Sequence, residues 1–105
     1  PLWLAPEQVR ILPISERHHE KAREIYQQLF NAGMRVEIDE RSEKIGYKIR
    51  EAQLQKIPYM LIIGDKEAES GTVSVRRRGE GDLGAVKTEA FLATALAEIT
   101  AKQMN

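Results

Sequence analysis

The chain is organised around one short apolar segment with its flanks, Ile57-Pro58-Tyr59-Met60-Leu61-Ile62-Ile63-Gly64-Asp65-Lys66-Glu67. The apolar run is unbroken, begins after a proline and ends at a glycine. These features predict a strand that is buried on both faces. Polar residues follow directly where that strand emerges, and in open α/β sheets ligands commonly bind at the ends of central strands. We therefore expect the function to lie near residues 64–67.

The composition is that of one ordinary domain. The chain has 105 residues, of which 42% are hydrophobic, enough for a single modest core. It contains no cysteine, which excludes disulfides and thiolate metal ligands. No apolar run reaches bilayer length, so no membrane span is predicted. Basic and acidic residues number 16 each, so any affinity for nucleic acid must come from local charge placement.

The first residues predict a boundary. Residues 1–7 look like a linker that enters a domain at 8–105, and the chain starts at Pro1 without an initiator Met. We expect it to be a piece of a longer protein. Trp3, the one tryptophan, lies outside any periodic element. It is expected either to anchor on this domain's own core or to pack against a neighbouring domain.

Hydrophobic periodicity predicts a strand and a helix before the central segment. Residues 9–14 alternate as a strand, and Ser15 can cap the helix that follows. Gly33 stands where a left-handed residue ends a helix, with Met34 placed to touch Leu29 as in a Schellman motif.

A second strand and a second helix follow. Residues 34–38 alternate with charged residues, which predicts a strand near an edge. A helix is predicted from about Glu43 to Gln55, with one apolar face. Its inward residues are Ile45, Ile49 and Ala52, whereas Lys48 and Arg50 point elsewhere.

After the central strand, we predict a hairpin and a last helix. Ser70-Gly71 is a plausible turn between strands at 66–69 and 72–76, and 79–84 reads as a loop before the helix. Two strand–helix–strand crossovers give a parallel core with helices on both faces, to which the hairpin adds two strands. The predicted fold is α/β, with a mixed five-stranded sheet.

Two motifs are weak signals for chemistry. Gly79-Glu80-Gly81-Asp82-Leu83-Gly84 is a literal G-x-G-x-x-G, but no second strand follows its helix to complete a dinucleotide site. His18 and His19 are adjacent and cannot share a helix face as a metal pair, so exposed polar residues are expected. No nucleophile, base and orienting residue form a set, so no catalytic residue and no metal ligand is predicted.

The predicted hairpin offers a third possibility. In its register Glu67 pairs with Ser74 and shares one uncovered face with Arg76. A carboxylate and a guanidinium on such a face can accept from and donate to the base edges of single-stranded RNA. On spacing alone, a solvated face with cross-strand ion pairs is the favoured interpretation.

Three stretches carry a family resemblance. They are Arg41-Ser42-Glu43-Lys44-Ile45-Gly46-Tyr47-Lys48-Ile49-Arg50-Glu51, the central Ile57 to Glu67 stretch, and Val73-Ser74-Val75-Arg76. Together with Trp3-Leu4-Ala5-Pro6-Glu7-Gln8-Val9, they resemble the C-terminal anticodon-binding domain of bacterial threonyl-tRNA synthetase, a class II aminoacyl-tRNA synthetase. The resemblance covers almost the whole chain. Histidyl-, prolyl- and glycyl-tRNA synthetases share the domain type but match less closely.

The resemblance implies a three-layer α/β/α fold with a mixed five-stranded sheet and three helices. It also implies recognition of the anticodon loop of threonine tRNA, chiefly the G and U at its second and third positions. The family's base-contacting positions fall here on Lys44, Arg50, Glu67 and Arg76. A family Asn falls on Ser42, whose hydroxyl lacks paired amide donors and acceptors, so this contact is expected to be lost or bridged by water. Near-zero net charge predicts few phosphate contacts, with Lys44, Lys48 and Arg50 as the donors.

The resemblance further implies a longer, cytoplasmic and homodimeric ligase in which residues 1–7 lead from an upstream catalytic domain. ATP, Mg²⁺ and Zn²⁺ are expected only in that catalytic domain, and no cofactor is expected here. Two other interpretations stay open. One is a nucleotide-using enzyme built on the glycine loop, and the other is a free-standing anticodon-like module that binds proteins.

Overall fold

The computed structural model describes residues 4–103, with side chains through residue 101. Trp3 lies outside the described residues, as do the two interpretations of its packing. Within the described part, five strands and four α-helices follow one another. In chain order they are β1 (Val9–Pro13), α1 (His19–Asn31), β2 (Val36–Ile38), α2 (Ile45–Leu54), β3 (Tyr59–Ile63), α3 (Asp65–Ser70), β4 (Thr72–Arg77), β5 (Gly81–Lys87) and α4 (Thr88–Gln103).

The sheet has the strand order β2-β1-β3-β4-β5. The first three strands in that order are parallel, and β4 and β5 are antiparallel to their neighbours. All five residues of β3 are buried, as a central strand requires. The predicted mixed five-stranded sheet is therefore confirmed, with the segment around Leu61 at its centre and β2 at an edge.

Helices cover both faces of the sheet and make three layers. On one face, α1 and α4 pack on the sheet through a large apolar cluster that includes Ile25, Leu29 and Phe91. On the other face, α2 packs through a smaller cluster that includes Ala52 and Met60. The predicted three helices are confirmed, and the short α3 is an addition. None of the described helices is long and apolar enough to cross a membrane.

The end of α1 follows the predicted Schellman motif. Gly33 has a positive φ of 89°. The Met34 amide donates to the Leu29 carbonyl at 3.1 Å and the Gly33 amide donates to the Phe30 carbonyl at 3.0 Å. These bonds satisfy two of the carbonyl groups that the last helical turn leaves open. The start differs in detail, because a 3₁₀ turn at Glu16–His18 precedes α1.

The predicted hairpin at residues 66–76 is wrong. Residues 65–70 form α3, and Gly71, with φ of 69°, ends that helix before β4. The physical reason is local, because Glu67 accepts a hydrogen bond from the Gly64 amide at 2.7 Å and closes the first helical turn. The hairpin of the fold is instead β4–β5, and the glycine-rich segment 79–84 supplies its turn and part of edge strand β5. That placement contradicts a dinucleotide-binding loop.

His18 is buried, not exposed as predicted. Its Nε2 lies 2.7 Å from a carboxylate oxygen of Asp65, and its Nδ1 accepts from the Ser15 amide at 3.2 Å. Arg17 donates two hydrogen bonds to the same Asp65 carboxylate, each 2.8 Å long. This cluster ties the 3₁₀ turn after β1 to the start of α3 after β3. It therefore holds together two loops at the carboxyl edge of the parallel strands.

The central strand should carry much of the stability. Leu61 is fully buried in β3 and Leu54 is 76% exposed on α2. We expect Leu61→Ala to lower the free energy of unfolding by about 2–5 kcal/mol, because a buried cavity remains. Leu54→Ala, the same change at an exposed site, should alter it by less than about 0.5 kcal/mol. Urea denaturation measures both, and similar losses from the two variants would contradict the assignment of the core.

Protonation of Asp65 at low pH should also lower the free energy of unfolding. Its hydrogen bonds from Arg17 and with His18 hold the pKa of the carboxyl well below its usual range. A carboxyl with a lowered folded-state pKa stabilises the fold above its unfolded pKa of about 3.9, and this contribution is lost as pH falls further. In urea denaturation at a series of pH values from neutral to acid, Asp65→Asn should therefore show a shallower loss of stability below about pH 4 than the parent. Identical pH dependences for the two proteins would refute this role.

Candidate functional site

The five predicted site residues come from four parts of the fold. Ser42 and Lys44 lie in the loop between β2 and α2, and Lys44 is the N-cap of that helix. Arg50 is exposed on α2. Glu67 lies in the first turn of α3, and Arg76 is in β4. The structure therefore groups Ser42 with Lys44 and places the other three residues separately.

An open cleft of about 600 Å³ lies beyond the carboxyl ends of β1 and β2. Its walls are the loops that follow these two strands and the start of α2. Ser42 and Lys44 line it. The full lining is Ile14, Ser15, Glu16, His19, Glu40, Arg41, Ser42, Glu43, Lys44 and Lys48. The lining contains both carboxylates and cations, so the cleft is not specific for anions. It can bind hydrogen-bond donors as well as acceptors.

The loop at 39–44, which we call the β2–α2 loop, is shaped by Arg41. Its guanidinium donates to both carboxylate oxygens of Asp39, at 2.9 and 2.8 Å, and to Glu51 of α2 at 2.8 Å. The Arg41 hydrogen bond is the main cause that lowers the pKa of Asp39. The same guanidinium lies 5.7 Å from the ring centroid of Tyr47. These contacts fix the chain on one side of Ser42.

Lys48 holds the β2–α2 loop from the buried side of α2, and its position differs from the predicted one. The sequence predicts a side chain that points away from the core and reaches phosphates, but the residue is only 1% exposed. Its ammonium donates to the carbonyl oxygens of Pro13, at 3.1 Å, and Asp39, at 3.0 Å. Burial lowers the pKa of the Lys48 ammonium. Lys48 is therefore a structural group between two strand ends and has no surface to offer to a phosphate.

Glu67 is oriented by the start of α3. One of its carboxylate oxygens, Oε1, accepts from the Gly64 amide at 2.7 Å. Among the described residues, no side chain donates to its second oxygen, and the residue is half-buried. Gly64 leaves little room here, since a Cβ atom would lie 2.7 Å from Ile14 Cδ1 and 3.1 Å from that Oε1. The carboxylate is thus held in one direction with one oxygen able to accept a further N–H.

Neighbouring arginines in β4 differ in what they bind. Arg77 donates to the Tyr59 hydroxyl at 2.8 Å and to Glu98 of α4 at 2.7 Å, so its guanidinium is occupied. Arg76 points to the opposite face, as strand alternation requires. It is half-buried, and it forms no ion pair or side-chain hydrogen bond with another described residue. Its planar donor groups therefore remain available to a ligand.

Arg76 lines a smaller cleft of about 110 Å³, where α2 leaves the sheet uncovered. Gln53 of α2 forms part of the same cleft. Arg50 lies three residues before Gln53, and positions three apart share a helix face. Arg50 also has no ion-pair partner among the described residues. Arg50 is thus an exposed cation one helical turn from Gln53, and it does not itself line the cleft that Arg76 lines.

Glu67 and Arg76 are not neighbours on one hairpin, in contrast to the register that the sequence predicts. Arg76 pairs with Met60 of β3, whereas Glu67 folds back on Gly64, which lies four positions after Met60. At about 3.3 Å per residue, the strand separates the two positions by about 13 Å. Asp39 and Arg41 were not among the predicted functional residues. Their spacing of two residues directly after a strand was the available signal, but the bond to Glu51 depends on tertiary structure.

Comparison with known proteins identifies the domain. Residues 8–98 match the family model described as an anticodon binding domain. The chain is 61% identical over 104 residues to the threonine–tRNA ligase of Caldanaerobacter subterraneus subsp. tengcongensis, covering 99% of this chain and 16% of that protein. It is 64% identical over 102 residues to the threonine–tRNA ligase of Syntrophomonas wolfei, covering 97% and 16%. The chain thus spans about one sixth of the length of these relatives.

A solved structure supports the same assignment. The RNA binding domain of threonyl-tRNA synthetase from Cryptosporidium parvum superposes with a TM-score of 0.87 and 32% sequence identity, over 92% of this chain and 24% of that one. The resemblance inferred from the sequence is therefore confirmed at the level of sequence, family model and fold. By these matches and by its three-layer fold, the chain belongs to the anticodon-binding domain family, with threonine–tRNA ligases among its relatives.

Proposed function

We propose that this chain is the anticodon-binding domain of a threonine–tRNA ligase and that it binds the anticodon loop of threonine tRNA. The observation that carries this proposal is the contrast between Arg76 and Arg77. These residues are adjacent in β4, but Arg76 has no side-chain hydrogen-bond partner among the described residues, whereas Arg77 donates to Tyr59 and Glu98. A half-buried arginine with free donors is what planar recognition of a nucleobase requires.

Recognition would use complementary hydrogen bonding at two points. The free oxygen of Glu67 can only accept, which suits N–H donors on guanine or uracil. Arg76 can only donate, which suits their carbonyl oxygens. Glu67 is held beside Gly64, and Arg76 pairs with Met60, which lies about 13 Å earlier along β3, so the two side chains are better placed for two different nucleotides than for one base edge. This supports reading of a G and a U at the second and third anticodon positions.

Lys44 and Arg50 would act on the RNA backbone. Both are exposed, and neither forms an ion pair with another described residue. Exposed cations can neutralise phosphates without specifying sequence. Ser42 would contribute through its hydroxyl, directly or through water.

The proposal also includes the rest of a ligase. This comprises an upstream catalytic domain that uses ATP, Mg²⁺ and Zn²⁺, a homodimeric assembly and a cytoplasmic location. Threonine activation would occur in that catalytic domain and not in these 105 residues.

The proposal predicts a selective loss of discrimination from Glu67→Gln and from Arg76→Gln. In the first variant, the new side chain retains a carbonyl oxygen for the Gly64 amide but presents an amide in place of the free carboxylate oxygen. Each variant should weaken binding of the threonine anticodon stem-loop by about 1–3 kcal/mol, because a desolvated partner is left unpaired. Binding of a stem-loop altered at the second or third anticodon position should hardly change. Fluorescence anisotropy titrations at fixed salt measure both affinities.

Two matched variants control for charge alone. Glu69→Gln changes an exposed carboxylate on α3, and Lys87→Gln changes an exposed cation at the end of β5, away from the cleft that Arg76 lines. Both should leave the ratio of the two affinities unchanged. Circular dichroism checks that all four variants are folded. The proposal fails if the folded Glu67 and Arg76 variants discriminate between the stem-loops as well as the parent does.

A further inference from the structure

Lys48 is the most unusual side chain of the domain that the proposed recognition does not use. It is the bulkiest of the fully buried residues, and it is a lysine. A buried ammonium is costly unless hydrogen bonds replace its water. Here two main-chain carbonyl groups do so, and they belong to Pro13 at the end of β1 and Asp39 just after β2. One side chain of α2 therefore joins the ends of two parallel strands.

Asp39 is the residue on which the β2–α2 loop depends, and all its polar groups are engaged. Its amide donates to the Ile11 carbonyl at 2.9 Å, which continues the pairing of β1 and β2. Its carboxylate binds the Arg41 guanidinium, and its carbonyl accepts from Lys48. The Lys48 bond is thus the link between the loop and the body of α2 on the buried side. Arg41 makes the corresponding link to Glu51 on the exposed side.

The second partner of Lys48, Pro13, is connected to the turn at residues 64–67, which holds Glu67. Pro13 is followed by Ile14, whose amide donates to the carbonyl of Ile63 at 2.9 Å. Ile63 directly precedes Gly64, whose amide orients Glu67. A continuous chain of hydrogen bonds and covalent bonds therefore runs from the β2–α2 loop through Lys48 to the turn that holds Glu67.

We propose that Lys48 is a positioning residue for RNA recognition, which fixes the β2–α2 loop with Ser42 and Lys44 relative to the turn at residues 64–67. Its role in recognition rests on the proposed function, whereas its effect on the loop does not require RNA. Because it acts from the core, Lys48 contributes to recognition through the geometry of these two segments and makes no phosphate contact.

The first test uses the ligand-free protein. In Lys48→Met, which keeps a long apolar side chain but removes the ammonium, hydrogen exchange of the amides at residues 39–44 should become at least about tenfold faster, since the loop loses one of its two anchors. Amides of β5, which Lys48 does not contact, should exchange at the parental rate and report that the fold is intact. Lys48→Gln, which retains amide donors, should show a smaller effect. It also serves as the second variant if Lys48→Met does not fold.

The second test uses the threonine anticodon stem-loop. Lys48→Met should reduce discrimination against an altered anticodon by about tenfold, with an unchanged dependence of affinity on salt, because no phosphate contact is lost. Lys44→Met, the matched exposed cation at the start of the same helix, should lower the log–log salt slope by about 0.7.

Three outcomes would overturn the proposal. Unchanged exchange at residues 39–44 in Lys48→Met would show that the loop does not depend on the ammonium. A salt slope lowered by about 0.7 in that variant would indicate a direct phosphate contact. Faster loop exchange with parental discrimination would show that the loop geometry does not serve recognition.

Failure of the proposed function is distinguishable from these outcomes. Absence of stem-loop binding by the parent chain would refute the proposed function, and with it the recognition role. The exchange result would still report on the anchoring of the loop.

Discussion

The burial of β3 on both faces is the constraint on which the rest of the structure depends. A strand with five buried residues needs a neighbouring strand on each side and packing above and below. The parallel neighbour β1 and the antiparallel neighbour β4 supply the pairing, and helices supply the cover. Polar groups can then be placed only where this packing ends. The three candidate regions lie at such places, beyond the ends of β1 and β2, beyond the end of β3, and where α2 leaves β4 uncovered.

Charged residues in this domain divide into two groups. Asp39, Arg41 and Asp65 form short hydrogen bonds within the protein, which fix the loops after the parallel strands. Arg50 and Arg76 have no ion-pair partner among the described residues; Arg50 is exposed and Arg76 lines a cleft. This division explains how a chain with no net charge can keep cations available to a ligand. The acidic residues neutralise those cations that shape the loops and leave others free.

Hydrophobic pattern predicted the parts of the fold that are determined by apolar burial. The continuous apolar run predicted β3, and Gly33 followed by Met34 predicted the end of α1. Both features are determined by interactions within a few residues of the chain. The pattern did not predict β5, because its Gly81 and Gly84 have positive φ and the strand exists through pairing with β4. A short polar helix such as α3 depends on one capping bond and has too few residues for a periodicity.

The candidate site was predictable only as a set of residue types. Resemblance to a family supplied Ser42, Lys44, Arg50, Glu67 and Arg76, but the separation of Glu67 from Arg76 follows from the β3–β4 register. The side chain of Lys48 was predicted to be exposed because hydrophobic patterns assign lysine to the solvent-facing side of a helix. Its burial depends on two carbonyl groups from distant parts of the chain, and no local pattern marks these acceptors.

The central claim of the proposal is that three separate regions, namely the β2–α2 loop, the turn at 64–67 and β4, bind the RNA together. Amide chemical-shift mapping of the ¹⁵N-labelled chain during titration with the threonine anticodon stem-loop tests it most directly. The account predicts that the largest shifts fall in residues 40–50, 64–67 and 74–78, with α1 and α4 nearly unchanged. Shifts concentrated on α1 and α4, or equal shifts with an unrelated stem-loop, would contradict it.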